Sequence, residues 1–374
     1  MLSFRDRVSS VAPFSQQHHH TTRCDCGRRA GIERSLDPMT DADDCPDCPD
    51  CPICHEVLSA EDVVKLECNH QFHANCIHNW IMMNLLTPKC PMCRKDMKKQ
   101  RLEVAGMMKQ WFHAAWSGDA DHIRSQLAQH GVNHHLVHAV SDGGSNALMI
   151  AVAHGNASCV DALLEREATE QKTHRNDDGQ TALIVAARSN RPDCAERLLR
   201  HAAKDQVLAA DGDGNTALTV ASAAGHAKCV ELLLAAHDAA DQVLVANGGG
   251  NTALMMASAK GHVECAKLLL AAHDAKDQVL AANGNGTTAL MLASAAGHHG
   301  CVELLLAAHD AKDQVLAADG DGNTALMMAA NRGHHVCVKL LLAAHDAKDQ
   351  VLAASGDGMT ALMLASAVGH DVCV

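Results

Sequence analysis

The triplet Thr-Ala-Leu returns at Thr181, Thr216, Thr252, Thr288, Thr324 and Thr360, 35 residues apart once and 36 apart thereafter. A weaker copy, Asn146-Ala147-Leu148, stands 35 residues before the first. Cysteine keeps the same rhythm at Cys159, Cys194, Cys229, Cys265, Cys301, Cys337 and Cys373. A period of this size confines the back of the chain to an array in which one small unit stacks on the next. A fold with one enclosed core has no use for such a repeat.

The segment from Gly248 to Leu270 shows what one unit is. Gly248-Gly249-Gly250 marks a turn, and Thr252 is placed to cap a short helix by accepting a backbone N–H. Leu254 and Ala257 give that helix a small apolar face, and Gly261 ends it. A second helix runs from His262 to Leu270, apolar at Cys265, Leu268 and Leu269. One such pair cannot cover its own apolar face, so neighbours must stack.

These residues resemble the ankyrin repeat, in which a Gly–Thr–x–Leu turn precedes a helix pair ending in Leu-Leu. The resemblance covers roughly residues 108–374. It implies an all-α solenoid over 104–374, with a divergent first repeat at 108–141 and an incomplete last one. Two departures stand out. The unit of 35–36 residues exceeds the family's about 33, the surplus lying after the Leu run, as in His273–Leu280. His273 stands where the family has a helix-ending Gly, so the hairpin finger is expected to be remodelled. Trp111 to Gly131 is expected to close the open end with its aromatics. The chain stops at Val374 inside a second helix without a polar cap, so a truncated product or a gene fragment is the expectation.

The repeated His-x-x-Cys pairs, from His226/Cys229 to His370/Cys373, admit two readings. A metal ladder is one. The other, which we favour, has Gly-His opening the second helix and Cys serving as a small buried hydrophobe, because no further ligand accompanies each pair. The units differ mainly before the Thr (Gln180, Asn215, Thr287, Met359) and before the Gly-His (Ala224, Lys260, Arg332, Val368). In an ankyrin array those positions would line the concave face and set specificity.

Composition separates the front from this array. Only 2% of the 374 residues are aromatic, and none follows Trp116. The formal net charge is −13, with 19 basic against 30 acidic residues after position 100. No basic stripe of a nucleic-acid binder is visible. The opening MLSFRDRVSS places charge where a signal peptide has its apolar stretch, and no run of about 18 apolar residues occurs. The expectation is an intracellular protein, cytoplasmic with the nucleus open, binding neither nucleic acid nor membrane. In a reducing compartment, cysteines serve as metal ligands or core residues in preference to disulfides.

Ten cysteines precede residue 94. Together with two histidines, six of them form a series: Cys51-x2-Cys54, Cys68-x-His70, His73-x2-Cys76 and Cys90-x2-Cys93. A Cys-x2-Cys turn presents two thiolates to one tetrahedral zinc. Four pairs complete two four-ligand sites, which are closed and therefore structural. Hydrolytic zinc catalysis is not expected. A register using Cys48 competes with Cys51/Cys54, since Cys45, Cys48, Cys51 and Cys54 overlap. Cys24 and Cys26 lie in residues 1–47, which lack periodicity and read as a disordered arm.

Residues 48–97 resemble a RING finger with two central histidines. The match runs through Cys51-Pro52-Ile53-Cys54, Cys68-Asn69-His70-Gln71-Phe72-His73 with Cys76, Trp80, and Cys90-Pro91-Met92-Cys93-Arg94. The resemblance implies a cross-brace, one zinc on Cys51, Cys54, His73 and Cys76, the other on Cys68, His70, Cys90 and Cys93. It also implies a ubiquitin ligase that positions a ubiquitin-charged conjugating enzyme. Ile53, Trp80 and Pro91 would receive that enzyme, and Arg94 would restrain ubiquitin. The array would recruit the protein substrate. The second reading is a non-catalytic, zinc-stabilised scaffold. The 13 residues between Cys76 and Cys90 exceed what this finger type has, which leaves the shape of the groove open.

Overall fold

The computed structural model describes residues 63–66, 68–73, 77, 89–92, 94–95, 97–128, 136, 139–141, 143–165, 172–201, 204–236 and 239–373. The chain divides into two units between Lys98 and Lys99. The arm at 1–47 falls outside the described residues.

In the first unit, β1 (Val63–Lys65) pairs antiparallel with β2 (Gln71–His73), Val64 opposite Phe72. Phe72 is fully buried, with Leu66, Ile77 and Met97 also inside.

The second unit opens with the helices Lys98–Ser117 and Ala120–Ala128 and continues as the array the repeat requires. Thr252 caps Ala253–Lys260 by accepting the N–H of Met255, and Gly261 ends that helix at φ 75°, a left-handed conformation open to glycine at little cost. A cap of this kind contributes about 1 kcal/mol. The same device recurs at Thr181, Thr216, Thr288, Thr324 and Thr360. Asn190 takes the glycine's place in one unit, at φ 51°. The second helix, Val263–Ala272, buries Cys265, Ala266 and Leu269 against its neighbours. One continuous apolar core runs from Trp111 to Ala365.

The surplus residues after the Leu run fold into a third helix. In the unit followed above it spans Ala275–Leu280, capped by Asp274 and burying Gln278 and Val279. Counterparts lie at Lys204–Val207, Ala239–Val243, Ala311–Val315 and Ala347–Leu352. The hairpin finger is correspondingly reduced to a turn closed by one bridge, Ala282 opposite Thr288 in this unit. Successive turns are tied by backbone bonds, Gly248 N–H to Asp213 O at 2.9 Å and Gly356 N–H to Asp321 O at 2.8 Å.

At the front of the array, Trp111 is fully buried and Phe112 half-buried, as a covering layer needs. Trp116 departs from that expectation and is 55% exposed. No described helix is long and apolar enough to cross a membrane.

Candidate metal centre

The finger's chemistry begins with two tight loops. In the first, joining β1 to β2, Leu66 N–H donates to His70 O and Asn69 N–H to Leu66 O, both at 2.9 Å. Asn69 closes this loop at φ 68°, a conformation in which Asn is enriched. In the second, Cys90 N–H donates to Lys95 O at 2.8 Å and Arg94 N–H to Cys90 O at 2.9 Å. Arg94 holds φ 57° there and its side chain is exposed.

The loops bring Cys68, His70 and Cys90 together, their ligand atoms all within 4.8 Å of one another. His70 Nδ1 lies 3.4 Å from Cys68 Sγ and 3.6 Å from Cys90 Sγ. An imidazole nitrogen and a thiolate sulfur on one tetrahedral zinc, at about 2.0 and about 2.3 Å, stand about 3.5 Å apart. The three donors thus fit zinc in chemistry and in spacing. Cys90 is buried, and Cys68 and His70 are half-buried. Among the described residues, no other three His, Cys, Asp or Glu side chains converge in this way. Pro91 is half-buried beside Cys90.

The remaining finger positions lie outside the described residues: Cys51, Ile53, Cys54, Cys76, Trp80 and Cys93, with Cys24, Cys26, Cys45 and Cys48. His73 is described in its backbone alone, as the end of β2.

The His-x-x-Cys pairs of the array are packing devices. The Nε2–H of His262 donates to Ala223 O of the preceding unit at 3.1 Å, and that of His334 to Ala295 O at 3.1 Å. Each ring thereby covers a carbonyl near the end of the previous first helix, where helices leave acceptors unpaired. Asn156 and Arg191 do the same in earlier units, reaching Ala115 O and Ala153 O. Cys229, Cys265, Cys301 and Cys337 are buried and Cys373 is half-buried; burial pushes the thiols of Cys265 and Cys301, and of Cys194 in an earlier unit, up to about 11. They are neutral thiols at physiological pH, poor as metal ligands and as nucleophiles.

The positions expected to set specificity divide in two. Those before the Thr are largely enclosed: Gln180 is 8% and Thr287 9% exposed. Asn215 accepts from Asn247 Nδ2 at 2.9 Å, forming a rung between units. Asn215 thereby links its unit to the next. Ala224, Lys260, Arg332 and Val368, in contrast, are exposed. The sequence left two features unread, the buried Gln of each third helix and the exposure of Trp116. The invariance of Gln242, Gln278, Gln314 and Gln350 was the available signal for the first.

Two family models match the chain. Ankyrin repeats (3 copies) matches in overlapping stretches from 111 to 374, and Ring finger domain matches 49–94. E3 ubiquitin-protein ligase At4g11680 of Arabidopsis thaliana is 38% identical over 75 residues, 20% of this chain and 17% of the relative. Human E3 ubiquitin-protein ligase DZIP3 is 50% identical over 41 residues, 11% of this chain and 3% of the relative. The chain thus spans less than a fifth of either one. Among solved structures, the ankyrin repeat domain of Bcl-3 aligns at TM-score 0.52 and 25% identity, over 63% of this chain and 99% of that domain. An ankyrin repeat domain from Acinetobacter baumannii aligns at TM-score 0.45 and 32% identity, over 53% and 96%.

Proposed function

The chain belongs to the ankyrin-repeat family and carries a RING finger ahead of the array, and from that premise we propose that it is a ubiquitin ligase. The observation that carries the reading is the match to the finger model over 49–94, joined by two relatives named as E3 ubiquitin-protein ligases that match short parts of the chain. The converging donors Cys68, His70 and Cys90 support it. In this reading Cys93 completes their site, and Cys51, Cys54, His73 and Cys76 form a second, for two zinc ions. Bound zinc supplies cross-links that a segment so short cannot replace with a hydrophobic core.

The chain contributes position, not a nucleophile. Ile53, Trp80 and Pro91 receive a ubiquitin-charged conjugating enzyme, and a substrate lysine attacks the thioester that the enzyme carries. Holding two reactants in one geometry is itself catalytic. Arg94 suits the restraint of ubiquitin because its backbone is fixed by the Cys90–Lys95 loop while its guanidinium stays free to reach two acceptors. The array recruits the protein that is modified.

Zinc-loaded full-length chain, incubated with ubiquitin, activating enzyme and a panel of conjugating enzymes, is expected to build ubiquitin chains on itself. Ile53→Ala and Arg94→Ala should each cut the rate at least tenfold while the zinc content stays unchanged. No product with any conjugating enzyme would leave the scaffold reading in its place.

A further inference from the structure

In the described turns of the array, glycine repeatedly follows asparagine or aspartate, and its N–H is engaged. Gly212, Gly248 and Gly320 each donate to the turn of the preceding unit, at 3.0, 2.9 and 2.8 Å. Gly179, Gly214, Gly286, Gly322 and Gly358 each close their own turn on the carbonyl three residues back. Gly284, which follows Asn283, is the exception. Among the described residues its N–H meets no acceptor.

The joint between units is wider at that point. A Cβ on Gly284 would stand 3.8 Å from Gly249 O, where one on Gly248 would stand 2.9 Å from Asp213 O. Gly249 occupies the place that Asp213, Asn285 and Asp321 hold in other turns. Gly284 is exposed and carries no side chain, so solvent and base reach its nitrogen.

The neighbouring amide is polarised. Asn283 Oδ1 accepts from the N–H of Asn285 and of Thr287, each at 3.0 Å, and Nδ2 donates to Asn251 Oδ1 at 2.9 Å. Two donors aimed at one oxygen stabilise negative charge that develops there. Asn247 makes the same three bonds, accepting from Gly249 and Asn251 and donating to Asn215. The two side chains are therefore held alike, and the backbone nitrogen that follows is what differs.

We propose that Asn283 is a site of spontaneous deamidation in the folded chain, with the Gly284 nitrogen as the attacking group. That nitrogen gives its proton to hydroxide and bonds to Cγ of Asn283, closing a cyclic succinimide. Nδ2 leaves as ammonia, taking a proton from water. Attack within one chain needs no encounter of separate molecules. Water then opens the ring. Breaking the new C–N bond leaves aspartate, and breaking the original peptide bond leaves isoaspartate, with one more methylene in the main chain. The turn accepts aspartate: Asp319 holds the corresponding place and takes the N–H of Asp321 and Asn323 on its Oδ1. Isoaspartate lengthens the loop that Asn283 N–H closes on Thr287 O. Either product loses the Nδ2 donor that ties this unit to Asn251.

The test incubates zinc-loaded full-length chain at pH 8 in water enriched in oxygen-18, folded and in urea, and reads each asparagine by fragment mass spectra. In the folded chain Asn283 is expected to convert at least tenfold faster than Asn247 and Asn285, while in urea the three should agree within threefold. Gly284→Ala should slow Asn283 at least tenfold. That variant is expected to fold, because Gly284 has no left-handed φ and an added Cβ meets only Gly249 O, in ordinary contact. Asn247 converting as fast as Asn283 in the folded chain would overturn the proposal. So would Asn285 converting faster, since exposure and not the unengaged N–H would then select the site. An Asn283 that stays intact while the urea sample converts would overturn it as well. The readout involves no ubiquitin, so it stands apart from the ligase reading.

Discussion

The reason for the repeated Gly-His lies between units, at the contact of Gly225 with His262. Gly225 needs its left-handed φ of 75° to end its helix. A Cβ there would also stand 2.5 Å from Nδ1 of His262, the ring that donates to Ala223 O. Two separate costs therefore fall on one substitution, about 1 kcal/mol of backbone strain and a steric clash of similar or larger size. Gly225→Ala is expected to cost about 2–3 kcal/mol, and His262→Ala about 1–2 kcal/mol for the uncovered carbonyl. The double variant should lose at least about 1 kcal/mol less than the two singles together, because removing the ring removes the clash. Urea denaturation of the four proteins measures this, and strict additivity would show that the ring does not press on the glycine. From the sequence, Gly-His reads as the opening of a second helix. Its role as the cap of a helix in the previous unit is invisible there, since the bond joins residues 39 positions apart.

At the scale of elements, the third helix accounts for the surplus over the ordinary unit. Gln278 is 1% exposed, and its Nε2 donates to Leu269 O at 2.8 Å and to His273 O at 3.2 Å. It satisfies the end of the second helix, where the family's glycine is missing. Gln314 and Gln350 repeat the arrangement on Leu305 and Leu341. Gln278→Met keeps the volume and leaves these carbonyls unsatisfied, at a cost of about 1–3 kcal/mol. Gln278→Glu should cost more at neutral pH, because a carboxylate can donate to neither carbonyl and is itself buried. Urea midpoints in the order wild type, Met, Glu check this, and a Glu variant as stable as wild type would refute the donor role. The helix pair, its Thr cap and its glycine stop were legible in the sequence because each depends on neighbours within a few residues. The third helix was legible only as extra length, and its hold on the array depends on one buried amide. In the finger, ligand types and spacing were legible, and the loops at Asn69 and Arg94 supply what spacing lacks, the approach of His70 to Cys90 across 20 residues.

Across the whole molecule, cysteine serves two opposed ends. In the finger, Cys68 and Cys90 converge on a histidine nitrogen, where a metal would hold them as thiolates. In the array, the cysteines from Cys159 to Cys337 sit in the apolar core, one per unit, and burial pushes Cys194, Cys265 and Cys301 up to about 11 from 9.0. A thiol whose folded value is raised contributes stability that is fully present below the unfolded value and is lost as pH climbs toward the folded one. The window runs from about pH 9 to about 11, where the unfolded chain ionises its thiols and the folded array does not. Units in a one-dimensional stack share their losses through nearest-neighbour contacts, so several small penalties are felt as one. Raising the pH from 8 to 10.5 is expected to lower the urea midpoint of wild type more steeply than that of C194A/C265A/C301A. The triple variant starts less stable at pH 8, and the two curves should converge with rising pH. Lysine titration contributes equally to both proteins, so parallel curves would mean that the buried thiols do not govern the alkaline loss.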